Sequence, residues 1–262
     1  MDLGIRGRKA IVAGASAGLG KSSALALARE GVEVLISARN EDKLIAASAE
    51  LEQKSGNKVT WVVEAHSTPE GRAKVLAACP EPDILVITCS PPKWTQDYRD
   101  IGVDDWHQAL STGMIGPIEL MKATIDGMRA RKWGRIVNIM TLAAREPADF
   151  RLLSGAPRSA LANFTVAISK PLAKDNVILN NILPGMHHTG GIRDRFAADK
   201  PGATDSYETE VQKIIEKLRI PADRFGEADD LGAFCALFCS EFANYTVGQS
   251  LIIDGGVHHS IF

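Results

Sequence analysis

Gly14, Gly18 and Gly20 fall within Lys9-Ala-Ile-Val-Ala-Gly-Ala-Ser-Ala-Gly-Leu-Gly-Lys21, between a short apolar run and an Ala/Leu-rich amphipathic stretch that reaches Gly31. A strand that feeds a helix through such a turn presents backbone N–H groups at the helix start, where they bind phosphate. Glycine suits the turn because the backbone must bend tightly and a diphosphate must approach without a Cβ in its way. Gly14, Ser16, Ala17, Gly18, Leu19 and Gly20 are therefore candidate dinucleotide contacts, although G-x-x-x-G-x-G also suits an ordinary strand-to-helix turn. The next apolar run ends in Ser37-Ala-Arg-Asn40. An acidic residue there hydrogen-bonds the ribose hydroxyls of NAD, whereas an arginine pairs with the 2′-phosphate of NADP. Arg39, with Ser16 nearby and Lys21 adding charge, predicts NADP(H) as cofactor; a solvated surface arginine is the alternative.

Such a site needs a sheet to hold it, and apolar runs alternate with amphipathic stretches along the whole chain. Strand-like runs cover 10–13, 32–37, 59–63, 84–88, 136–139, 177–183 and 250–253, with helical patterns over 18–29, 41–53, 70–78, 104–131 and 154–172 between them. Runs of Val, Ile and Leu separated by helices predict an α/β fold: a doubly wound, Rossmann-type parallel sheet of about seven strands with helices on both faces. No linker divides the chain, so residues 1–262 are expected to form a single domain, with a substrate lid over about 186–220. With 45% hydrophobic residues among 262 and a net charge of −2, no basic patch or helix argues for nucleic acid or a membrane surface as partner. The first residues lack an apolar signal core and no run of about 18 apolar residues occurs, so a cytoplasmic protein is expected. Cys79, Cys89, Cys235 and Cys239 lack C-x-x-C spacing and read as buried free thiols.

In full, the chain resembles the short-chain dehydrogenase/reductase family, and within it the 3-oxoacyl-carrier-protein-reductase-like members. The glycine turn matches that family's T-G-x-x-x-G-x-G, with Ala13 in place of the threonine. Asp83-Ile-Leu-Val86 matches the strand before its N-N-A-G, which here reads Ile87-Thr-Cys-Ser90, and Gly134-Arg-Ile-Val-Asn-Ile139 matches the strand leading to its catalytic serine. Pro184-Gly185 with Thr189 matches P-G-x-x-x-T, and Arg224-Phe-Gly226, Gly248-Gln249 and Asp254-Gly-Gly256 match the C-terminal signature. The resemblance implies cofactor contacts from Asn40, His66, Cys89, Ser90, Pro184, Gly185 and Thr189, with Ala65-His66 replacing an Asp-Val pair that meets adenine. It also implies a homotetramer or homodimer and a small-molecule substrate.

The catalytic positions depart from the family one after another. Its serine position is Thr141, its tyrosine Ser154, the lysine one helical turn later Arg158, and its asparagine Gly113. Tyr98, Tyr207 and Tyr245, the only tyrosines, are far from that helix in sequence. Bringing a tyrosine from a pKa of about 10 to near 7 corresponds to about 4 kcal/mol of differential stabilisation, and serine, a weaker and shorter acid, cannot take that role. Arg158 keeps its proton but can hold the nicotinamide ribose, and Thr141 can donate one hydrogen bond to a substrate oxygen. His187 and His188 are the candidate replacement proton donors, since imidazole titrates near neutral pH; a solvent-facing lid pair is the other reading. Arg145, Glu146, Asp149 and Arg151 are expected to border the substrate pocket or to be solvated. Cys89 fits inert packing. His258 and His259 lack the acidic ligands of a metal site, so no metal is expected. The leading expectation is an NADP(H)-binding oxidoreductase with a non-standard proton donor; a non-redox NADP(H)-binding protein and a lyase or dehydratase on the same fold remain alternatives.

Overall fold

Ala10 and Val12 pack into one hydrophobic cluster while Ile11 and Ala13, between and beside them, pack into another. Successive side chains of a strand point to opposite faces, so this first strand is buried on both sides, as a parallel sheet covered by helices requires. The structure is a computed structural model that describes residues 1–95, 97–196 and 206–260. In chain order the elements begin β1 (Lys9–Ala13), α1 (Gly18–Arg29), β2 (Glu33–Ala38), α2 (Glu41–Ser55), β3 (Val59–Val63), α3 (Pro69–Ala78) and β4 (Ile84–Ile87). They continue with α4 (Val103–Leu110), α5 (Gly116–Ala130), β5 (Gly134–Ile139), α6 (Leu152–Leu172), β6 (Val177–Pro184) and β7 (His187–His188). The chain then forms α7 (Gly190–Arg195), α8 (Tyr207–Leu218), β8 (Gly226–Glu227), α9 (Ala228–Phe238) and β9 (Ser250–Ile253).

Seven strands form one sheet in the order β3-β2-β1-β4-β5-β6-β9, every pair parallel. Helices α1, α2 and α9 supply Leu25, Leu27, Leu44, Leu51 and Leu231 to the cluster on one face. Helices α3, α5 and α6 supply Val75, Leu120, Met121 and Leu161 to the cluster on the other. This is the doubly wound Rossmann-type sheet expected from the sequence. A separate small cluster, Met186, Val211, Ile215, Ile220 and Phe225, holds α8 under the β7–β8 pair in the expected lid region. Residues 197–205 of that lid lie outside the described residues. Among the described residues no helix is long and apolar enough to cross a membrane.

The single helix expected over 104–131 is broken. After α4 the backbone widens into a π-type turn at Ser111–Ile115 before α5 resumes. Pro117 has no N–H to donate, and the Gly116 N–H reaches back to the Ser111 carbonyl, one residue further than in an α-helix. The wide turn therefore leaves the Thr112 carbonyl without a backbone partner, since the donor it would need belongs to Pro117.

Asp175, in the turn after α6, accepts from Lys132 Nζ at 2.5 Å and from Arg129 Nε at 2.9 Å, tying the end of α6 to the turn between α5 and β5. Hydrogen bonds from Lys132 and then Arg129 hold its carboxyl down at about 2. A carboxylate whose folded pKa is depressed stabilises the fold above its ordinary pKa, and that contribution is lost as pH falls through the folded value. Asp175→Asn should therefore lower the urea midpoint at about pH 6, with the gap from wild type closing between about pH 4 and pH 2. A gap independent of pH would contradict this role.

Candidate active site

From β1 the chain winds outward through β2 and β3, then returns to β4 on the other side of β1. At such a reversal the connections part company and a crevice opens beyond the carboxyl ends of the strands. Here it is a cleft of about 750 Å³. Its floor is the glycine turn. Gly14 has φ +79°, and a Cβ there would lie 2.4 Å from the Thr88 carbonyl oxygen. A Cβ on Gly20 would lie 2.5 Å from both the Gly14 oxygen and Thr88 Cγ2, so β1, β4 and α1 close together only because both residues lack one. Gly18, with φ +56°, faces Thr189 across the cleft. Helix α1 begins without a side-chain cap on its Ala17 N-cap and without an acidic residue in its first turn. By contrast Asn40, Thr68, Thr189 and Ser206 each cap their own helix. The α1 amides thus open into the cleft beside Ser16, Ala17 and Leu19, and the Cβ-free floor and unspent donors fit a diphosphate.

Arg39 and Asn40 stand at one mouth, joined by Lys43, which the sequence reading did not single out. Asn40 spends its side chain accepting from the Lys43 N–H at 2.8 Å. Exposed Arg39 reaches over the opening to donate to Ser90 Oγ at 3.3 Å. Among the described residues neither Arg39 nor Lys43 has a carboxylate in ion-pair reach; Glu64, also at this mouth, is held by Lys74. Lys21 points elsewhere and is taken by Glu50 at 2.6 Å.

His66 and Cys89 explain how the broken helix is tolerated. His66 Nε2 sits 3.3 Å from the Thr112 carbonyl and Cys89 Sγ donates to the same oxygen at 3.2 Å, giving it the partners that Pro117 denies it. The His66 imidazole is therefore turned toward the helix break and is only 6% exposed. Burial alone would raise the Cys89 thiol, but hydrogen bonding with His66 and the charge of Arg158 outweigh it and set the thiol below its ordinary value. Cys89 is thus more than the inert packing expected of it.

Thr141, Ser154 and Arg158 come together past β5. Thr141 Oγ1 accepts from the Ala143 N–H at 3.3 Å, leaving its own proton free for the cleft. Arg158 Nη1 donates to Ser154 Oγ at 3.2 Å and to the Ser154 carbonyl at 3.3 Å, one turn apart on α6. Gly113 makes room for this: a Cβ there would lie 3.2 Å from Pro157 and 3.6 Å from Arg158 Nη1. Both Ser154 and Arg158 are buried at the cleft wall.

The two histidines are separated by the strand they share. His187 faces the cleft, but its ring is buried against Gly226, Nδ1 approaches the Gly185 carbonyl at 3.3 Å and Nε2 has no partner. Burial pushes its pKa below the ordinary imidazole value, so it is neutral at pH 7, and with Nδ1–H given to Gly185 its Nε2 has no proton to donate. His188 points away from the cleft, its Nδ1 2.7 Å from Tyr207 Oη and its ring 5.4 Å from Phe225. Neither histidine is placed as the proton donor expected from the sequence. His258 is paired with the Glu146 carboxylate.

Gly14→Ala tests the packing of the floor against backbone strain alone. Gly56, with φ +72° and open space around its missing Cβ, is the control. Gly56→Ala should cost about 1–2 kcal/mol from the left-handed backbone, and Gly14→Ala clearly more, because it adds the overlap with Thr88. Equal losses in denaturant unfolding would contradict the close approach.

Comparison with known proteins agrees with this geometry. The model of the short chain dehydrogenase family matches residues 8–200. The oxidoreductase YgcW of Escherichia coli (strain K12) is 30% identical over 256 residues, spanning 96% of this chain and 93% of that protein. The 3-oxoacyl-[acyl-carrier-protein] reductase FabG of Aquifex aeolicus is 25% identical over 263 residues, spanning 98% of this chain and 100% of the reductase. The structure of L-sorbose reductase from Gluconobacter frateurii, complexed with NADPH and L-sorbose, superposes with a TM-score of 0.92 at 27% identity, covering 100% of both chains. A family match over most of the chain, on a parallel sheet with a glycine-floored cleft at its switch point, makes this protein a member of the short-chain dehydrogenase/reductase family, similar to its 3-oxoacyl-carrier-protein reductases.

Proposed function

We propose that the protein is an NADP(H)-dependent oxidoreductase that interconverts a carbonyl and an alcohol on a small-molecule substrate. The observation that carries this reading is the pair of unneutralised cations, Arg39 and Lys43, at the mouth of a cleft whose floor presents uncapped helix amides. A diphosphate would rest on the Gly14–Gly20 turn, and the 2′-phosphate would meet Arg39, Lys43 and Ser16. Thr189, Pro184 and Gly185 border the other end of the cleft, where Arg158 would hold the nicotinamide ribose. NADPH in the related L-sorbose reductase supports the choice of cofactor. When bound, the nicotinamide supplies or accepts the hydride.

This chain's own residues then hold the substrate oxygen. Because Ser154 Oγ accepts from Arg158, its hydroxyl proton is turned away from the guanidinium and is free to meet that oxygen, with Thr141 as second donor. Arg158 keeps its own proton and stabilises negative charge as it develops at the oxygen, an electrostatic role in place of proton relay. The proton that completes the alcohol comes from solvent water, while Ser154 and Thr141 only hold the oxygen by hydrogen bonds.

Fluorescence titration of NADPH and NADH tests the reading. Wild type should prefer NADPH, and Arg39→Ala combined with Lys43→Ala should weaken NADPH by about tenfold or more, the loss of one or two charge-assisted hydrogen bonds, while leaving NADH nearly unchanged. Tighter binding of NADH by wild type would overturn the assignment.

A further inference from the structure

The chain shows how it treats a guanidinium that is buried for structural reasons. Arg135, 0% exposed, donates to the carbonyls of Ser240, Gly134 and Asn176 at 2.9–3.1 Å and to the side chains of Asn176 and Asn244. Glu241 lies 3.7 Å from it and the Trp133 ring lies beneath. Each of its three nitrogens has an acceptor, and a carboxylate balances the charge.

Arg151 is treated differently. It lines the far end of the cleft, and among the described residues the one polar contact of its side chain is the Met186 sulfur at 3.2 Å, a weak acceptor. The faces of Trp94 and Phe150 lie 5.2 and 5.5 Å from its guanidinium carbon. The charges nearest to it are alike. Burial, and then Arg195 and Arg158, push its pKa down to about 10. Arg195 lies over the Trp94 ring at 4.1 Å, Lys217 lies 5.5 Å from Phe150, and Arg158 is only 4% exposed. Among the described residues no carboxylate comes within ion-pair distance of Arg151, Arg158 or Arg195; Asp149 and Asp194, adjacent in sequence, do not close on them. Partly desolvated like charges without a balancing carboxylate oppose folding, so their retention around an open cleft indicates that the balancing charge arrives with a ligand.

We propose that the substrate carries an anionic group, a carboxylate or a phosphate, and that Arg151 anchors it, with Arg195 reinforcing the positive field. The proposal rests on the NADP(H)-dependent reading of the same cleft. The anchor is distinct from the cofactor's phosphate sites, which lie on the β1–α1 turn and at the end of β2. Arg151 is the N-cap of α6 and Ser154 lies within its first turn, so an anion on Arg151 and a carbonyl at Ser154 belong to one small molecule. Trp94, flanked edge-on by Phe150 and Phe196, forms the apolar wall that strengthens the charge pairing by excluding water.

The test uses two probe pairs, each an anion and a neutral counterpart that keeps the same ketone: acetoacetate against methyl acetoacetate, and dihydroxyacetone phosphate against dihydroxyacetone. Binding to the full-length protein is read by thermal shift and calorimetry with and without saturating NADPH, whose own affinity is measured separately. In wild type at least one anionic probe should bind tenfold or more tighter than its neutral partner, and the pair with the larger gap distinguishes carboxylate from phosphate. Arg151→Met should abolish that preference, leave NADPH affinity unchanged, and melt no lower than wild type, because it removes a half-buried charge with no carboxylate partner among the described residues. No preference in either pair, or a preference that survives Arg151→Met, would overturn the proposal. Failure of NADPH to bind wild type would overturn the cofactor reading, while the anion preference of the cofactor-free protein would still judge the anchor.

Discussion

Because every strand of the main sheet is parallel, all seven carboxyl ends lie on one edge, and the reversal of winding between β1 and β4 opens that edge into a cleft. Everything chemical in the molecule is arranged along this line. The β1–α1 turn lies at its centre, the Arg39–Lys43 mouth beyond β2, and the Thr141–Ser154–Arg158 group beyond β5. The close approach of Gly14 and Gly20 to Thr88 brings the central strands near enough for the turn to face this line. The broken helix after β4 belongs to the same arrangement, since its orphaned Thr112 carbonyl draws His66 and Cys89 together at the cleft wall.

Charge is the second theme. Where positive charge serves the fold it is matched, as at Arg135 with its five acceptor atoms or at Asp175 between Arg129 and Lys132. Where it faces the cleft no carboxylate among the described residues balances it, at Arg39 and Lys43 at one mouth and at Arg151 and Arg158 at the other. The same chain thus follows two rules for its arginines, and the difference sorts structural from ligand-directed cations more sharply than exposure alone. The substitutions at the family's tyrosine and lysine positions fit this division: Arg158 exchanges a group able to relay protons for a permanent positive charge, consistent with holding anionic or developing negative charge nearby.

Much of this was legible in the sequence, for identifiable reasons. The glycine turn and the Val/Ile/Leu strands are set by local sterics and by burial on both sheet faces, so β3 and β9 and the start of α1 fall where periodicity placed them. The break at Ser111–Ile115 was hidden because the apolar spacing continues across it, with Gly113, Gly116 and Pro117 as its local signs. Lys43 escaped notice because its place at the mouth depends on how α2 leaves β2. Neighbours in a strand point to opposite faces, so His187 and His188 cannot both face one cleft, and strand alternation alone separates them. Arg151 appeared among several loop residues, and only the folded structure separates it, set against Trp94 and Phe150, from exposed Arg145 and from Glu146, which is paired with His258.

Hydride is proposed to pass within this cleft between NADP(H) and a small anionic carbonyl compound. This is read by incubating the protein with NADPH carrying deuterium at both C4 positions of the nicotinamide and a set of short 2-oxo and 3-oxo acids, followed by mass spectrometry of the recovered hydroxy acids. One deuterium per hydroxy acid is expected. Unlabelled hydroxy acid, or saturable NADPH binding with no labelled product from any acid of the set, would contradict it.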